Sequence, residues 1–178
     1  SAKEINATAL NGTLNVGAGT AVTEGVIAGA TGVNTIAFGT IAADKAVTFI
    51  GQGGKDVVTL AATDAVTTGT KAGQANIVLG LGDDKLTVTG AIAGVLSVQA
   101  GDGNDLVDLQ ADPTGTFVVD FGNGSDTLKV VANTNFQGAT SLELVGLETI
   151  QLAATGTVKF LGSQITGKTW AIKGVDGS

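Results

Sequence analysis

Apolar and polar residues alternate in short segments along the whole chain, and a glycine-rich turn that ends in an aspartate precedes several of these segments. The pattern is Gly-x-Gly-x-Asp-x-φ-x-φ, where φ is apolar, and nearly identical copies begin at Gly80, Gly101 and Gly122. A related copy begins at Gly51. The four aspartates are Asp56, Asp84, Asp105 and Asp126, with spacings of 28, 21 and 21 residues. Because alternate residues of a strand face the same side, each copy predicts a turn followed by a short strand with two inward apolar residues.

The same apolar signature continues towards both ends of the chain. Asn34 and Glu148 stand where the central copies have Asp, and only the alternating apolar pair remains after positions 12 and 168. We call the Asp position the slot, and the pattern predicts slots at 12, 34, 56, 84, 105, 126, 148 and 168. A period of this length is typical of solenoids. We therefore predict an all-β fold, a single parallel β-solenoid (β-roll or β-helix) of about eight rungs with 20–28-residue coils, as one domain over residues 1–178.

A second apolar strip precedes the central turns, as in Ile77 and Leu79, so each rung is predicted to hold two short strands joined by the turn. Stacking then predicts two inward columns, Leu86 over Val107 over Leu128 and Val88 over Leu109 over Val130. Residues 61–73, which lengthen one coil, are predicted to form a protruding loop. Trp170 is predicted to be an inward residue of the last rung, in the core or as an end plug, and no capping helix is expected at either end.

Other fold classes fit the pattern less well. The 28 glycines, and the lack of any segment with a 3.6-residue apolar period, argue against a helical protein. A Greek-key sandwich would also have short strands and Gly-rich turns, but it would not return the same residue types at intervals of 21 or 22 residues.

Composition excludes several functions. The chain has no Cys, His, Arg, Met or Tyr, which removes disulfides and the ligands that zinc and copper prefer. A net charge of −7 without Arg or Tyr argues against nucleic-acid binding. No apolar run approaches the ~20 residues of a membrane-spanning helix, so membrane insertion is not expected.

The turns are suited to calcium. Glycines permit positive φ, so that backbone carbonyls can turn towards one point, and Asp adds a hard anionic oxygen. Stacked aspartates about 5 Å apart would repel one another without a cation. We predict calcium sites in rungs at about 47–131, with ligands from Asp56, Asp84, Asp105, Asp126, Gly54, Gly80, Gly82, Gly101, Gly103, Gly122 and Gly124, and with Asp83 and Asp102 as auxiliary ligands. Ordinary metal-free turns are the alternative, and Asp108 is predicted to be a solvated outward residue.

Residues 50–130 resemble the nonapeptide repeat Gly-Gly-x-Gly-x-Asp-x-φ-x of the RTX (repeats-in-toxin) family, which forms calcium-loaded parallel β-rolls. The chain departs from that repeat at Leu79, Ala100 and Phe121, where the family has Gly, and at Gln52. The motif also lies on one edge of the coil only. The Ala-, Gly-, Thr- and Val-rich acidic composition is similar to that of RTX-containing bacterial surface-layer proteins and adhesins, which are exported by type I secretion.

The resemblance implies an extracellular protein of the bacterial cell surface. We expect a non-enzymatic, calcium-dependent structural protein that assembles into or supports a surface layer, matrix or adhesin. Its expected partners are copies of itself or neighbouring solenoid domains, with cell-surface polysaccharide as a further candidate. The alternative is a calcium-stabilised β-helical enzyme that acts on polysaccharide, or its accessory module, although no irregular acidic cluster or Arg is present to support catalysis. An ice-binding face is nearly excluded, because Thr87-Val-Thr89 does not recur in the next rungs.

Overall fold

The chain folds as a parallel β-solenoid of about eight turns, which confirms the predicted fold class. The structure is a computed structural model that describes residues 3–17 and 21–175; residues 1–2, 18–20 and 176–178 of the predicted domain lie outside the described residues. Two parallel sheets run the length of the stack, and successive strands alternate between them until the last turn. Each turn of the solenoid therefore adds one strand to each sheet.

The first sheet, sheet A, has seven strands, and the second, sheet B, has eight. Sheet A contains β1 (Glu4–Asn6), β3 (Gly25–Ala28), β5 (Ala46–Ile50), β7 (Gln74–Leu81), β9 (Val95–Asp102), β11 (Thr116–Asn123) and β13 (Ser141–Val145). Sheet B contains β2 (Leu14–Val16), β4 (Asn34–Ile41), β6 (Val57–Thr63), β8 (Lys85–Val88), β10 (Leu106–Leu109), β12 (Thr127–Val130), β14 (Thr149–Leu152) and β15 (Ala171–Lys173).

The core lies between the two sheets and consists of stacked columns of apolar side chains. Val107 pairs with Leu86 on one side and with Leu128 on the other, and Leu109 pairs likewise with Val88 and Val130, as predicted. These residues and their sheet A counterparts are fully buried. One rung could not cover its own apolar face, so burial of this core depends on the neighbouring rungs.

The register of the two terminal rungs differs from the prediction by two residues. Leu14 pairs with Asn34, and Trp170 lies opposite Glu148 because Ala171 pairs with Thr149. The first slot is therefore at 14 and the last at 170, where positions 12 and 168 were predicted. A shift of two residues keeps every side chain on the same face of a strand, so the apolar pattern could not distinguish these registers.

Three further segments complete the stack. Strand β6 extends through Thr63, so the protruding loop begins after it and occupies residues 64–72, which are mostly exposed. No capping helix was predicted, and at the C-terminal end a one-turn helix, α1 (Gly162–Ile165), takes the place of a sheet A strand. It has no buried residue and leaves β15 exposed. A 3₁₀ turn covers Phe136–Gly138. Among the described residues, no helix is of a length and apolarity that would let it cross a membrane.

Candidate metal centre: the slot column

The slot residues form one column along the inside edge of sheet B. Parallel pairing of the strands that follow them brings together Leu14, Asn34, Asp56, Asp84, Asp105, Asp126, Glu148 and Trp170. Parallel neighbours in a sheet lie about 4.8 Å apart, so the polar slots are close neighbours. The four aspartates are 0–2% exposed, so they belong to the interior of the molecule.

One oxygen of each aspartate holds the preceding rung in register. The backbone N–H of Asp84 donates to Oδ1 of Asp105 at 2.8 Å, and the N–H of Asp105 donates to Oδ1 of Asp126 at 2.7 Å. The same bond joins Asp56 to Asp84 at 2.6 Å. At the far end, Oε2 of Glu148 accepts from the N–H of Asp126 at 2.7 Å. The side chains therefore form a hydrogen-bonded ladder from rung to rung.

The second oxygen of each aspartate accepts no hydrogen bond from any described residue. These four buried atoms are Oδ2 of Asp56, Asp84, Asp105 and Asp126. A buried charged oxygen without a partner is costly, so burial raises the pKa of Asp84 to about 7 and that of Asp105 to about 6, and neighbouring carboxylates add to the effect. Burial also raises the pKa of Asp56 and of Asp126. The central ladder thus lacks a positive or hydrogen-bond-donating group.

Asn34 shows what such a group does in the same column. Its Nδ2 donates to the carbonyl oxygens of Ala30 and Gly32, both at 3.0 Å, and to Oδ1 of Asp56 at 2.9 Å. Its Oδ1 accepts from the N–H of Ala30 at 2.8 Å. A donor in this slot is therefore surrounded by two turn carbonyls and the carboxylate of the next rung. In the four following rungs the side chain is a carboxylate, and it brings no such donor.

The turn glycines allow close approach between rungs. Gly82 and Gly103 have φ of +124° and +143°, and a Cβ on Gly103 would overlap the carbonyl oxygen of Gly82. The same overlap would occur between Gly101 and the carbonyl of Gly80. The remaining predicted ligand glycines, Gly54, Gly122 and Gly124, also have positive φ. The glycines are thus required by the stacking itself.

The two predicted auxiliary ligands lie on the outside of the turns. Asp83 and Asp102 are exposed, whereas the slot residues beside them are buried. Oδ1 of Asp83 accepts from the N–H of Asn104 at 2.8 Å, and Oδ1 of Asp102 accepts from Nδ2 of Asn123 at 2.8 Å. The part of the chain that the structure describes brings together no three acidic side chains that could hold a metal. Any cation would therefore rest on slot carboxylates and backbone carbonyls.

Sequence reasoning missed two features of the column and one outside it. It did not identify Asn34 and Glu148 as the polar ends of the ladder, although their slot positions were the available signal. It also predicted a solvated Asp108, which is wrong. Asp108 does face outward, yet it is 6% exposed and lies 3.4 Å from Nζ of Lys129 in the next rung. The covering of a small side chain by a long neighbour one rung away depends on the exact register.

The residues of the column fit a calcium ion by chemistry. The four unpartnered oxygens are carboxylate oxygens, and the reach of Asn34 shows that a slot side chain lies beside turn carbonyls. Hard oxygen donors of this kind suit Ca²⁺.

Comparison of the chain with protein-family models, with curated proteins and with solved structures gives no match. The ladder is therefore the feature of the molecule that bears on its function.

Proposed function

We propose that this protein is a calcium-dependent structural β-solenoid of the bacterial cell exterior, which assembles into or supports a surface layer, matrix or adhesin. The observation that supports it most directly is the row of four buried carboxylate oxygens without a partner. In a stack that needed no bound ion, we would expect amide or apolar side chains in these slots, like those of Asn34 and Leu14. Four aspartates in succession bury a row of negative charge, which protonation or a bound cation would offset.

Bound Ca²⁺ would supply the positive charge that the column lacks. The slot carboxylates would hold it with Oδ2 while Oδ1 keeps its bond to the neighbouring rung. Four such ions carry eight positive charges, which would change the formal net charge from −7 to +1. Sites with Kd of about 10⁻⁴–10⁻³ M, as in extracellular modules, would each add about 0.4–1.4 kcal/mol at millimolar calcium. Folding would thus be favoured outside the cell, where calcium is abundant.

The test is a thermal melt followed by far-UV circular dichroism, with light scattering recorded in parallel. Protein treated with EDTA is titrated with Ca²⁺ and, as a control for ionic strength and charge, with Mg²⁺. We expect β signal and melting temperature to rise with calcium and much less with Mg²⁺, because Mg²⁺ demands a regular octahedron and keeps its waters. Increased scattering with calcium would favour an assembling protein over an isolated stalk.

A pair of opposite substitutions shows whether the slots are responsible. Asp84→Asn with Asp105→Asn gives both slots the donor that Asn34 has, so the calcium-free protein should melt higher and respond less to calcium. Asn34→Asp makes the reverse change and should lower the melting temperature of the calcium-free protein. If the wild type melts at the same temperature with and without calcium, the proposed function is wrong, and the ladder is a purely structural column of acids.

A further inference from the structure

Both ends of the stack expose apolar surface. At the C-terminal end, Ile172 is 61% exposed and Leu161 and Ile165 are each 45% exposed. Beside them is a hollow of about 450 Å³, lined in part by Phe160 and Trp170. At the N-terminal end, Ile5 and Leu10 are exposed, and a hollow of about 370 Å³ is lined in part by Ile5, Val22 and Val26. At each end of the described stack, apolar side chains are therefore exposed beside the core.

The inward columns end in apolar residues at both ends, even where the column itself is polar. The slot column begins with Leu14 and ends with Trp170. The next column of sheet B begins with Val16 and ends with Ile172. Contact between the two ends would consequently place apolar residues on apolar residues in both columns, and would bury no carboxylate of the ladder. The opposite end of a second copy therefore offers each end apolar residues in register with its own.

We propose that the C-terminal end of one copy binds the N-terminal end of a second copy, so that β15 pairs in parallel with β2 of that copy. The inference rests on the proposed assembly function and names the surface through which assembly occurs. Trp170 then packs against Leu14 of the second copy, and Ile172 packs against Val16 of the second copy. Because the two surfaces are different and the contact adds rungs along the axis of the solenoid, it repeats without closing and builds a filament.

The free edge of β15 can accept a further strand. Ala171 donates its N–H to the carbonyl of Glu148, which uses one side of β15. Successive N–H groups of a strand point to opposite sides, so the N–H of Ile172 points away from β14. Within the described residues no strand of sheet B lies beyond β15 or beyond β2. An exposed edge of this kind readily pairs with another chain.

Direction of contact follows from strand polarity and charge. Only an N-terminal end placed on a C-terminal end continues sheet B in parallel. Residues 153–175 carry Lys159, Lys168 and Lys173 and no acidic residue, so two C-terminal ends would repel each other. Residues 3–17 carry Lys3 and Glu4 only, and are neutral. The mixed contact is therefore the favoured one.

The C-terminal helix α1 prevents one repulsive contact between the two copies in this arrangement. Glu4 and Glu143 occupy equivalent outward positions at the two edges of sheet A, and direct pairing of β1 with β13 would place like charges side by side. The segment 161–169 stands in the place of the next sheet A strand, and Nζ of Lys168 donates to the carbonyl of Leu144 in β13 at 2.7 Å. The second copy therefore contacts Leu161 and Ile165 of the first, and Glu4 of the second copy stays apart from Glu143 of the first.

Sedimentation of three single variants tests the contact in millimolar calcium, over a wide range of protein concentration. Ile172→Lys blocks the C-terminal end and Leu10→Lys blocks the N-terminal end. Val66→Lys is the matched control, because Val66 is 62% exposed in the loop, remote from both ends. We expect wild type and Val66→Lys to form a concentration-dependent series of species, and each end variant alone to remain monomeric. Circular dichroism checks that every variant is folded.

Mixing the two end variants gives the decisive result. Ile172→Lys keeps an intact N-terminal end and Leu10→Lys keeps an intact C-terminal end, so an equimolar mixture should form a dimer and nothing larger. Filaments of either end variant, or a mixture that stays monomeric, would overturn the inference. A wild type that responds to calcium in its β signal but remains monomeric would overturn it too, while leaving the calcium proposal intact, and would mean that another segment or partner covers the ends.

Discussion

At the scale of single residues, one nitrogen atom distinguishes the slot of Asn34 from those of the four aspartates that follow it. The amide satisfies two turn carbonyls and a carboxylate, whereas each aspartate leaves an oxygen without a donor. The repeat predicted the residues of the column from Asn34 to Glu148. It did not predict that Oδ1 of each aspartate accepts a hydrogen bond from the preceding rung while Oδ2 accepts none. This difference depends on the rotation of the side chain inside the turn.

The buried carboxylates predict an unusual pH dependence for the calcium-free protein. Burial raises the pKa of Asp84 from 3.8 to about 7 and that of Asp105 to about 6. Below pH 3.8 both states are protonated. Between the unfolded and folded values the native state binds more protons, so stability falls as the pH rises through about 4 to 7. The melting temperature in EDTA should therefore decrease over this range.

Melts at a series of pH values in EDTA measure this slope. The Asp84→Asn, Asp105→Asn protein is the control, and its profile should be flatter because two of the titrating groups are gone. Added calcium should flatten the wild-type profile as well. A melting temperature that climbs from pH 4 to pH 7 in EDTA would be inconsistent with buried, unpaired carboxylates.

Gly103→Ala should be among the most damaging substitutions in a turn. A Cβ at this position would overlap the carbonyl oxygen of Gly82, and φ of +143° disfavours any L side chain. We expect a loss on the order of 2–4 kcal/mol in the free energy of unfolding, measured with urea. Gly69→Ala is the control, since φ is +81° there but the space is open, and it should cost about 1 kcal/mol. Equal effects would show that strain alone, without the stacking contact, explains Gly103.

At the scale of elements, the central strands were predictable because two signals coincide in them, the glycine turn and the apolar alternation. In the terminal rungs only alternation remains. Leu14 and Trp170 are apolar and lie two residues before Val16 and Ile172, so a slot and an inward position look alike there. The helix α1 is four residues long and has no visible period, which is why it was not expected.

The loop at residues 64–72 should be dispensable. Deletion of residues 65–71 would shorten the 28-residue coil to 21 residues, the spacing of the next two coils, and would remove mostly exposed residues. Loop length has a weak effect on stability, so we expect a change within about 1 kcal/mol and an unaltered calcium response. Circular dichroism melts with and without calcium measure both. An unfolded deletion protein would show that the loop supports the stack, through its contact between Lys71 and Asp44 for instance.

At the scale of the whole molecule, stability should decline from the middle of the stack towards its ends. Rungs interact only with their neighbours, so a terminal rung loses half of its contacts. Strands β7 to β12 are covered on both sides, whereas β1 and β15 are exposed along their length. Hydrogen exchange with calcium should therefore be slowest in β7 to β12 and fastest in β1, β2 and β15.

Removal of calcium should change this order locally. The largest gain in exchange is expected in the turns at residues 80–84, 101–105 and 122–126, where the slot N–H groups donate to the ladder. The turn that precedes Asn34 contains its own donor, and serves as an internal control that should change little. A uniform increase over all rungs would indicate global destabilisation without a specific role for the aspartate turns.

The aromatic residues near the C-terminal end provide an optical probe of the molecule. The chain has one Trp and no Tyr, so its near-ultraviolet emission comes from Trp170 alone. That ring is partly exposed, tilted against Phe160 with a centroid separation of 5.6 Å, and lies 5.9 Å from Nζ of Lys168. An indole at an open end emits at longer wavelength than one that is covered. The emission wavelength of the unlabelled protein thus shows whether the end beside Trp170 is free or covered.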